Sequence, residues 1–346
     1  MSDDADDLPI ATETIGGVGV LTLDRPGTIN AVSERMLELI DLALTAFEHD
    51  PAVGAVVIRG AGPRGFCAGG DITQIHRNGT TDPARSIAMW RREYLGVLRL
   101  SRFAKPIVSL LDGVAMGAGV GLGGHVSLRV VTERSAVGMP ETLIGLTPDA
   151  GGSHLLARTP GELGTHLALT GRAMTGADAI LTGFADVLVP SDRLDEIVPT
   201  LGRGGLEAVR ALATPPPPAP LAEAASWIDA AYEGDDAVAI VRRLRAAAAG
   251  GVQDAGGAAD DIEAASPTSV VLTLEALRRA RRLPDLEAVL GQELGLVSAL
   301  ADSADLVEGI RARVVDKDRR PRWTPARLAD VDAPAVIDRV DWATRL

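Results

Sequence analysis

Residues 110–130, LLDGVAMGAGVGLGGHVSLRV, constrain this chain's fold more than any other stretch. Six glycines stand there among small apolar residues, directly after the strand-like run IVSLL at 107–111. A glycine inside a regular element costs about 1 kcal/mol relative to alanine, so such a density needs a backbone reason. Either segments approach there more closely than a Cβ allows, or backbone N–H groups are left open to a ligand. A second glycine loop, AGPRGFCAGGD, follows another strand-like run, VGAVVIRG at 53–60.

The recurrence of strand, glycine-rich turn and helix predicts an α/β core with parallel strands. GVGVLTL (17–23) alternates as a strand and is stopped by Pro26 and Gly27. The helix after it has Ser33 as its cap and sets Met36, Ile40, Leu44 and Phe47 on one face. Residues 84–102 form another helix, LRVVT (128–132) a further strand, and 161–190 two short helices and a strand. The expected organisation is a disordered acidic tail over 1–11 and a core over 12–213. A stiff proline linker at 214–220 leads to a helical region over 221–346 that covers the site, interrupted by a mobile loop at 246–261.

Thirty-four basic against 47 acidic side chains leave a net charge of −13, which disfavours nucleic acid and anionic membranes as partners. The single cysteine, Cys67, excludes an internal disulfide framework and reads as a small core residue in a reducing compartment. The start MSDDADDLPI is acidic where a secretory signal is basic and then apolar. No apolar run approaches the roughly 18 residues that span a bilayer, so a cytoplasmic location is expected. The five histidines lack metal-ligand spacing, and neither a metal nor a separate cofactor is expected.

If the ends of the two glycine-loop strands are neighbours in a parallel sheet, two N–H groups can converge on one oxygen. The groups at Ala68 and Ala118 are the candidates. Such an oxyanion hole is worth about 2.7–4 kcal/mol per donor. The alternative is that the glycines serve only tight turns and close packing.

GFCAGGD (65–71), DGVAMGAGVGL (112–122) and MPETLIGLTPDAGG (139–152) together resemble the crotonase (enoyl-CoA hydratase/isomerase) superfamily. SPTSVVLTLEAL (266–277) and EGIRARVVDKDRRPRWTP (308–325) narrow the resemblance to its 3-hydroxyisobutyryl-CoA hydrolase branch. The resemblance implies a spiral of repeated ββα units with a helical C-terminal region, and an acyl-CoA thioester as substrate. It implies a homo-oligomer, a trimer by superfamily precedent. Ala68 and Ala118 match the oxyanion donors, and Gly69, Gly70, Asp71 and Gly117 flank them as substrate contacts. The branch usually carries glycine at Ala118, so the hole survives only if the backbone there does not require positive φ.

The acids separate the reactions that the superfamily catalyses. Its hydratases use two glutamates, and the position of the first is Gly121 here. Glu141 matches the second, Asp149 stands where hydratases have glycine, and Glu93 matches a substrate-site position of the hydrolase. Glu141 and Asp149 are therefore the implied catalytic pair. Read without the resemblance, Glu141 caps a short helix, Asp149 serves a turn and Glu93 sits in a solvated charge pair. Arg25 and Arg64 are the candidates for the CoA phosphates, although family members often place a cation where Gly27 stands. The reaction implied is hydrolysis of a short hydroxyacyl-CoA, with hydration or isomerisation, or CoA binding without chemistry, as the alternatives.

Overall fold

The computed structural model describes residues 8–79 and 82–346. A six-stranded sheet is ordered β1-β2-β3-β5-β7-β9, from Ile10–Ile15 (β1), Val18–Leu23 (β2), Ala55–Gly60 (β3), Ile107–Leu111 (β5), Leu128–Val131 (β7) and Val187–Leu188 (β9). Only β1 runs antiparallel to its neighbour, and from β2 to β9 every pairing is parallel. A three-stranded sheet is ordered β4-β6-β8, from Gly65–Cys67 (β4), Val114–Met116 (β6) and Ala136–Gly138 (β8). β4 and β6 are parallel, with Gly65 opposite Val114 and Cys67 opposite Ala115.

The helices are Glu34–His49 (α1), Ile72–Gly79 (α2), Pro83–Ser101 (α3), Ala118–Gly124 (α4), Gly152–Leu156 (α5), Leu163–Thr170 (α6), Gly176–Leu181 (α7) and Ile197–Arg210 (α8). Beyond the proline stretch come Pro220–Ala231 (α9), Ala237–Ala249 (α10), Gln253–Ala264 (α11), Pro267–Ala280 (α12), Leu286–Leu300 (α13) and Ala304–Ile310 (α14). Ser33 caps α1 by accepting from the Met36 N–H at 3.3 Å, and Met36, Ile40, Leu44 and Phe47 are its buried face.

Three expectations change. Residues 10–11 belong to β1, not to a tail; Met1–Asp7 lie outside the described residues. Residues 246–261 are not a loop but the end of α10, a turn at Gly250–Gly251 and most of α11. Gly251 makes that reversal possible with φ +101. Nor is 12–213 one continuous core. Among the described residues, one compact unit takes 8–70, Gly96–Val137 and Met174–Pro218, and the other takes 71–79, 82–95, Gly138–Ala173 and Ala219–Leu346.

In the first unit Val18, Val20, Val57, Val108, Leu128 and Val130 of the large sheet are buried with Ile197, Leu201 and Val209 of α8. Strands covered on both faces read as continuous apolar runs, as β2, β3 and β5 do. The second unit packs Leu163 and Leu169 of α6 with Ile240 and Leu244 of α10, Ile262 of α11, and Val270 and Leu274 of α12. Ala255, Ala258 and Ala259 keep α11 thin enough to lie in that core.

Candidate active site

In the first unit the two glycine loops meet because their strands, β4 and β6, are parallel neighbours. A Cβ on Gly119 would stand 2.6 Å from the Cys67 carbonyl oxygen, and one on Gly69 would stand 3.3 Å from that of Met116. The first distance is closer than any real side chain approaches, so glycine is obligatory there. Gly117 enters α4 with φ +52, and Ala118 is not among the residues with positive φ. The strained position falls on the glycine, so an alanine at 118 keeps a usable N–H at the start of α4.

Ala68 departs from the expectation. Its N–H donates to the Ile29 carbonyl at 2.8 Å, so it is not open to a ligand. Two residues on, the N–H of Gly70 has no acceptor among the described residues. The open donors of these loops are therefore Gly70 and Ala118. Asn30 fixes the first loop: its Nδ2 donates to the carbonyls of Ala61, Gly65 and Phe66 at 3.0–3.1 Å, and its Oδ1 accepts the Arg25 N–H at 2.9 Å. Asn30 is completely buried and takes φ +56, a conformation asparagine tolerates better than most residues. Arg25 donates to the Ala31 carbonyl at 2.6 Å, and Arg64 to the carbonyls of Pro26 and Gly27. Both guanidiniums hold that turn.

The second unit holds an acidic cluster. Glu93 of α3, Glu141, Asp149 and Glu293 of α13 are only 5, 7, 7 and 0% exposed. The Tyr94 hydroxyl donates to Asp149 Oδ2 at 2.8 Å. Glu293 Oε2 accepts the Gly151 N–H at 2.8 Å, and its Oε1 accepts the Ser153 N–H at 3.0 Å and the Ser153 hydroxyl. Glu141 Oε2 is buried with no hydrogen-bond partner. Glu141 opens a short turn, Glu141–Ile144, without capping it, so the capping reading fails. The solvated reading of Glu93 fails on burial. Asp71 opens α2 instead: its carboxylate accepts the Thr73 hydroxyl at 2.5 Å, and its carbonyl accepts the Gln74 N–H.

No lysine or arginine is among the groups that move these four carboxyls. Burial, then the Asp149 charge, holds Glu93 and Glu141 well above the usual carboxylate range. Burial lifts Asp149 to about 6 against the pull of the Tyr94 hydroxyl. Burial lifts Glu293 to about 8 against the donors of Gly151 and Ser153. Four acids that cannot all ionise in one dry region are equipped to hold and pass protons near neutral pH.

The sequence reading did not find Tyr94, Glu293 or Asn30. Glu293 carries a usable signal: a lone acid flanked at i−4, i−3, i+3 and i+4 by Val289, Leu290, Leu296 and Val297, all buried. A glutamate on an otherwise apolar helix face is rarely buried without a task.

Comparison with known proteins agrees with this architecture. The enoyl-CoA hydratase/isomerase family model matches residues 18–340. A mitochondrial 3-hydroxyisobutyryl-CoA hydrolase of Gallus gallus is 35% identical over 328 residues, covering 91% of this chain and 84% of that protein. The one of Homo sapiens is 34% identical over 338 residues, covering 93% and 86%. A crystal structure described as a carnitinyl-CoA dehydratase from Mycobacterium thermoresistibile superposes with a TM-score of 0.92 at 44% identity, covering 96% of each chain. One described as an enoyl-CoA hydratase from Rhodobacter sphaeroides gives 0.90 at 38%, covering 98% of this chain and all of that one. Among the described residues no helix is long and apolar enough to cross a membrane. On a match of this breadth, the chain belongs to the enoyl-CoA hydratase/isomerase family, the crotonase superfamily, and is an enzyme of that superfamily.

Proposed function

We propose that this chain hydrolyses a short hydroxyacyl-CoA thioester, 3-hydroxyisobutyryl-CoA, to the free hydroxy acid and CoA, a step of valine breakdown. The observation that carries the reading is the Glu141 carboxyl, buried with one oxygen unpartnered, in a chain whose other hydratase glutamate is replaced by Gly121. In this reading the N–H groups of Gly70 and Ala118 receive the thioester oxygen as it gains charge. Either the Glu141 carboxylate attacks the carbonyl carbon, the C–S bond breaks and a water then hydrolyses the resulting anhydride, or Glu141 takes a proton from a water that attacks directly and the C–S bond breaks. In both routes the thiolate of CoA leaves and is protonated, and the acyl group departs as the free acid. Asp149, held by Tyr94, accepts the hydroxyl of the acyl group. The working form is a homo-oligomer, with a trimer proposed, which light scattering separates from the 35.9 kDa monomer.

Hydration or dehydration is the second reading. Two solved structures that superpose on this chain with TM-scores of 0.92 and 0.90 carry such descriptions, at 44 and 38% identity. A panel of acyl-CoA thioesters followed by free-thiol release separates the two. Thiol release fastest from short branched 3-hydroxyacyl-CoA is expected; rapid hydration of crotonyl-CoA without thiol release from any substrate would sink the hydrolase reading.

A further inference from the structure

The segment 311–322, RARVVDKDRRPR, carries six basic against two acidic side chains in an otherwise acidic chain and is built around one of its own arginines. Arg311 donates to Glu308 through two nitrogens at 2.8 Å each, to Asp316 at 2.5 Å, to Asp318 at 2.8 Å and to the Arg320 carbonyl at 3.3 Å. The backbone is tied to the same hub: the Arg322 N–H reaches Glu308 at 2.7 Å, the Arg320 N–H reaches Asp318 at 2.8 Å, and the Arg319 N–H reaches the Ala312 carbonyl at 3.0 Å. Glu308, Asp316 and Asp318 thus all face inward onto Arg311.

The consequence is an outer face with unmatched charge. Among the described residues Arg313, Lys317 and Arg319 have no ion pair, while Arg320 and Arg322 are partly balanced by Asp318 and Glu308. Desolvation, together with the Arg319 charge, holds the Arg313 guanidinium below its ordinary value. Lys317 and Arg319 take φ of +57 and +56, which non-glycine residues adopt at a cost and which clusters where function requires it. A flexible solvated loop would relax both features; this one is braced against relaxing them.

We propose that the outer face of this loop, through Arg313, Lys317 and Arg319, binds the phosphate groups at the nucleotide end of the acyl-CoA substrate. The inference rests on the CoA-thioester reading above and adds the ligand's second anchor to it. A net charge of −13 repels a polyanion, so its phosphates need a local cationic surface, and arginine forks fit phosphate oxygens in pairs. The loop's first turn, Arg311–Val315, packs on α2, whose chain continues from the Gly65–Gly70 segment. Arg25 and Arg64, the sequence candidates for this task, are engaged on the carbonyls of the Pro26–Ala31 turn instead.

The test is calorimetric titration of free coenzyme A into the full chain. The triple variant R313Q/K317Q/R319Q is expected to weaken Kd about tenfold, since three exposed charge contacts are lost together. The weakening should shrink as salt rises, because ions screen the same contacts in the wild type. Arg35→Gln on α1 removes an exposed cation outside the loop, one paired with Glu38, and should leave Kd unchanged. If the triple variant melts early, the single Arg313→Gln substitution is expected to weaken Kd two- to fivefold. Wild-type Kd in folded variants at low salt would overturn the proposal. Loop-dependent CoA binding in a protein that releases no thiol would remove the hydrolase reading and leave this one standing.

Discussion

The glycine loops of the first unit and the carboxyl cluster of the second handle polar groups in opposite ways. Around Gly70 and Ala118 the donors are backbone amides, neutral when the site is empty and fixed by packing as tight as Gly119 against Cys67. Around Glu141 the polar groups are four acids, lifted out of their usual range by burial, with no lysine or arginine among the leading influences on them. Amides can be hidden with little penalty and wait for charge to appear. Buried acids are a standing strain on the fold, tolerated because a proton can move among them. The difference predicts that damage to the loops acts through geometry, whereas damage to the cluster acts through pH.

The sharpest blow to the cluster is Glu141→Gln. It keeps the shape and removes both base and nucleophile, so kcat for thiol release should fall by about 10²-fold or more with little change in CoA affinity. Near-normal kcat in the folded variant would take Glu141 out of the chemistry. On the other side of the comparison, Gly119→Ala forces a Cβ into the space of the Cys67 carbonyl. It should destabilise by about 1–3 kcal/mol and lower kcat without moving the pH profile. A shifted profile there would erase the contrast drawn above.

Tyr94→Phe removes the donor that favours ionised Asp149 and should cost about tenfold in rate, in line with a hydrogen bond to a charged group. The sign follows from the bond: without it Asp149 binds its proton more tightly, so the acidic limb of kcat/KM moves to higher pH. An unmoved limb would mean that Asp149 does not titrate in the reaction.

The unfolding midpoint carries the next effect. A carboxyl lifted in the folded state stabilises through its proton below the ordinary carboxylate range and loses that contribution as pH rises through the folded value. For Glu293 that value is about 8. The half-buried His154 and the buried His166, pulled down to about 4 and about 3, act oppositely, but only below the ordinary histidine value. Between pH 6.5 and 8.5 the melting temperature should therefore fall by a few degrees, and Glu293→Gln should flatten the slope. The smallest effect is Gly96→Ala in α3, where a Cβ meets nothing within 4 Å; a gain of about 0.5–1 kcal/mol is expected. A loss there would show that α3 needs its glycine.

What could be read from the chain follows the same division. The glycine loops were legible because close backbone approach leaves one residue type no substitute. Glu141 and Asp149 were legible only through the resemblance, since a lone acid beside a proline also reads as a cap or a turn. Tyr94 and Glu293 were not, because their partners lie 55 and 140–142 residues away and no local pattern encodes such a meeting. Ala68 was misplaced because the bond from Ile29 that occupies its N–H comes from a turn whose Asn30 anchor looks like any loop residue. β1 was missed for another reason: five of its six residues are exposed, and this edge strand is held by its pairing with β2 rather than by burial of its own. The turn between α10 and α11 looked mobile because glycine and alanine weaken the apolar period, although small residues are what let those helices pack.

The bonds from Gly151 and Ser153 to Glu293 also have a consequence in time. A ribosome releases the 149–153 turn long before it has made the helix that carries its acceptor. At 5–20 residues per second, the intervening stretch of about 140 residues takes roughly 7–28 s to synthesise. Throughout that interval the Gly151 and Ser153 N–H groups lack Glu293, and α5 lacks the α13 surface on which it packs. A nascent chain of this protein should therefore engage holding chaperones late, until residue 293 clears the exit tunnel, and a message truncated before that codon should yield a product that aggregates.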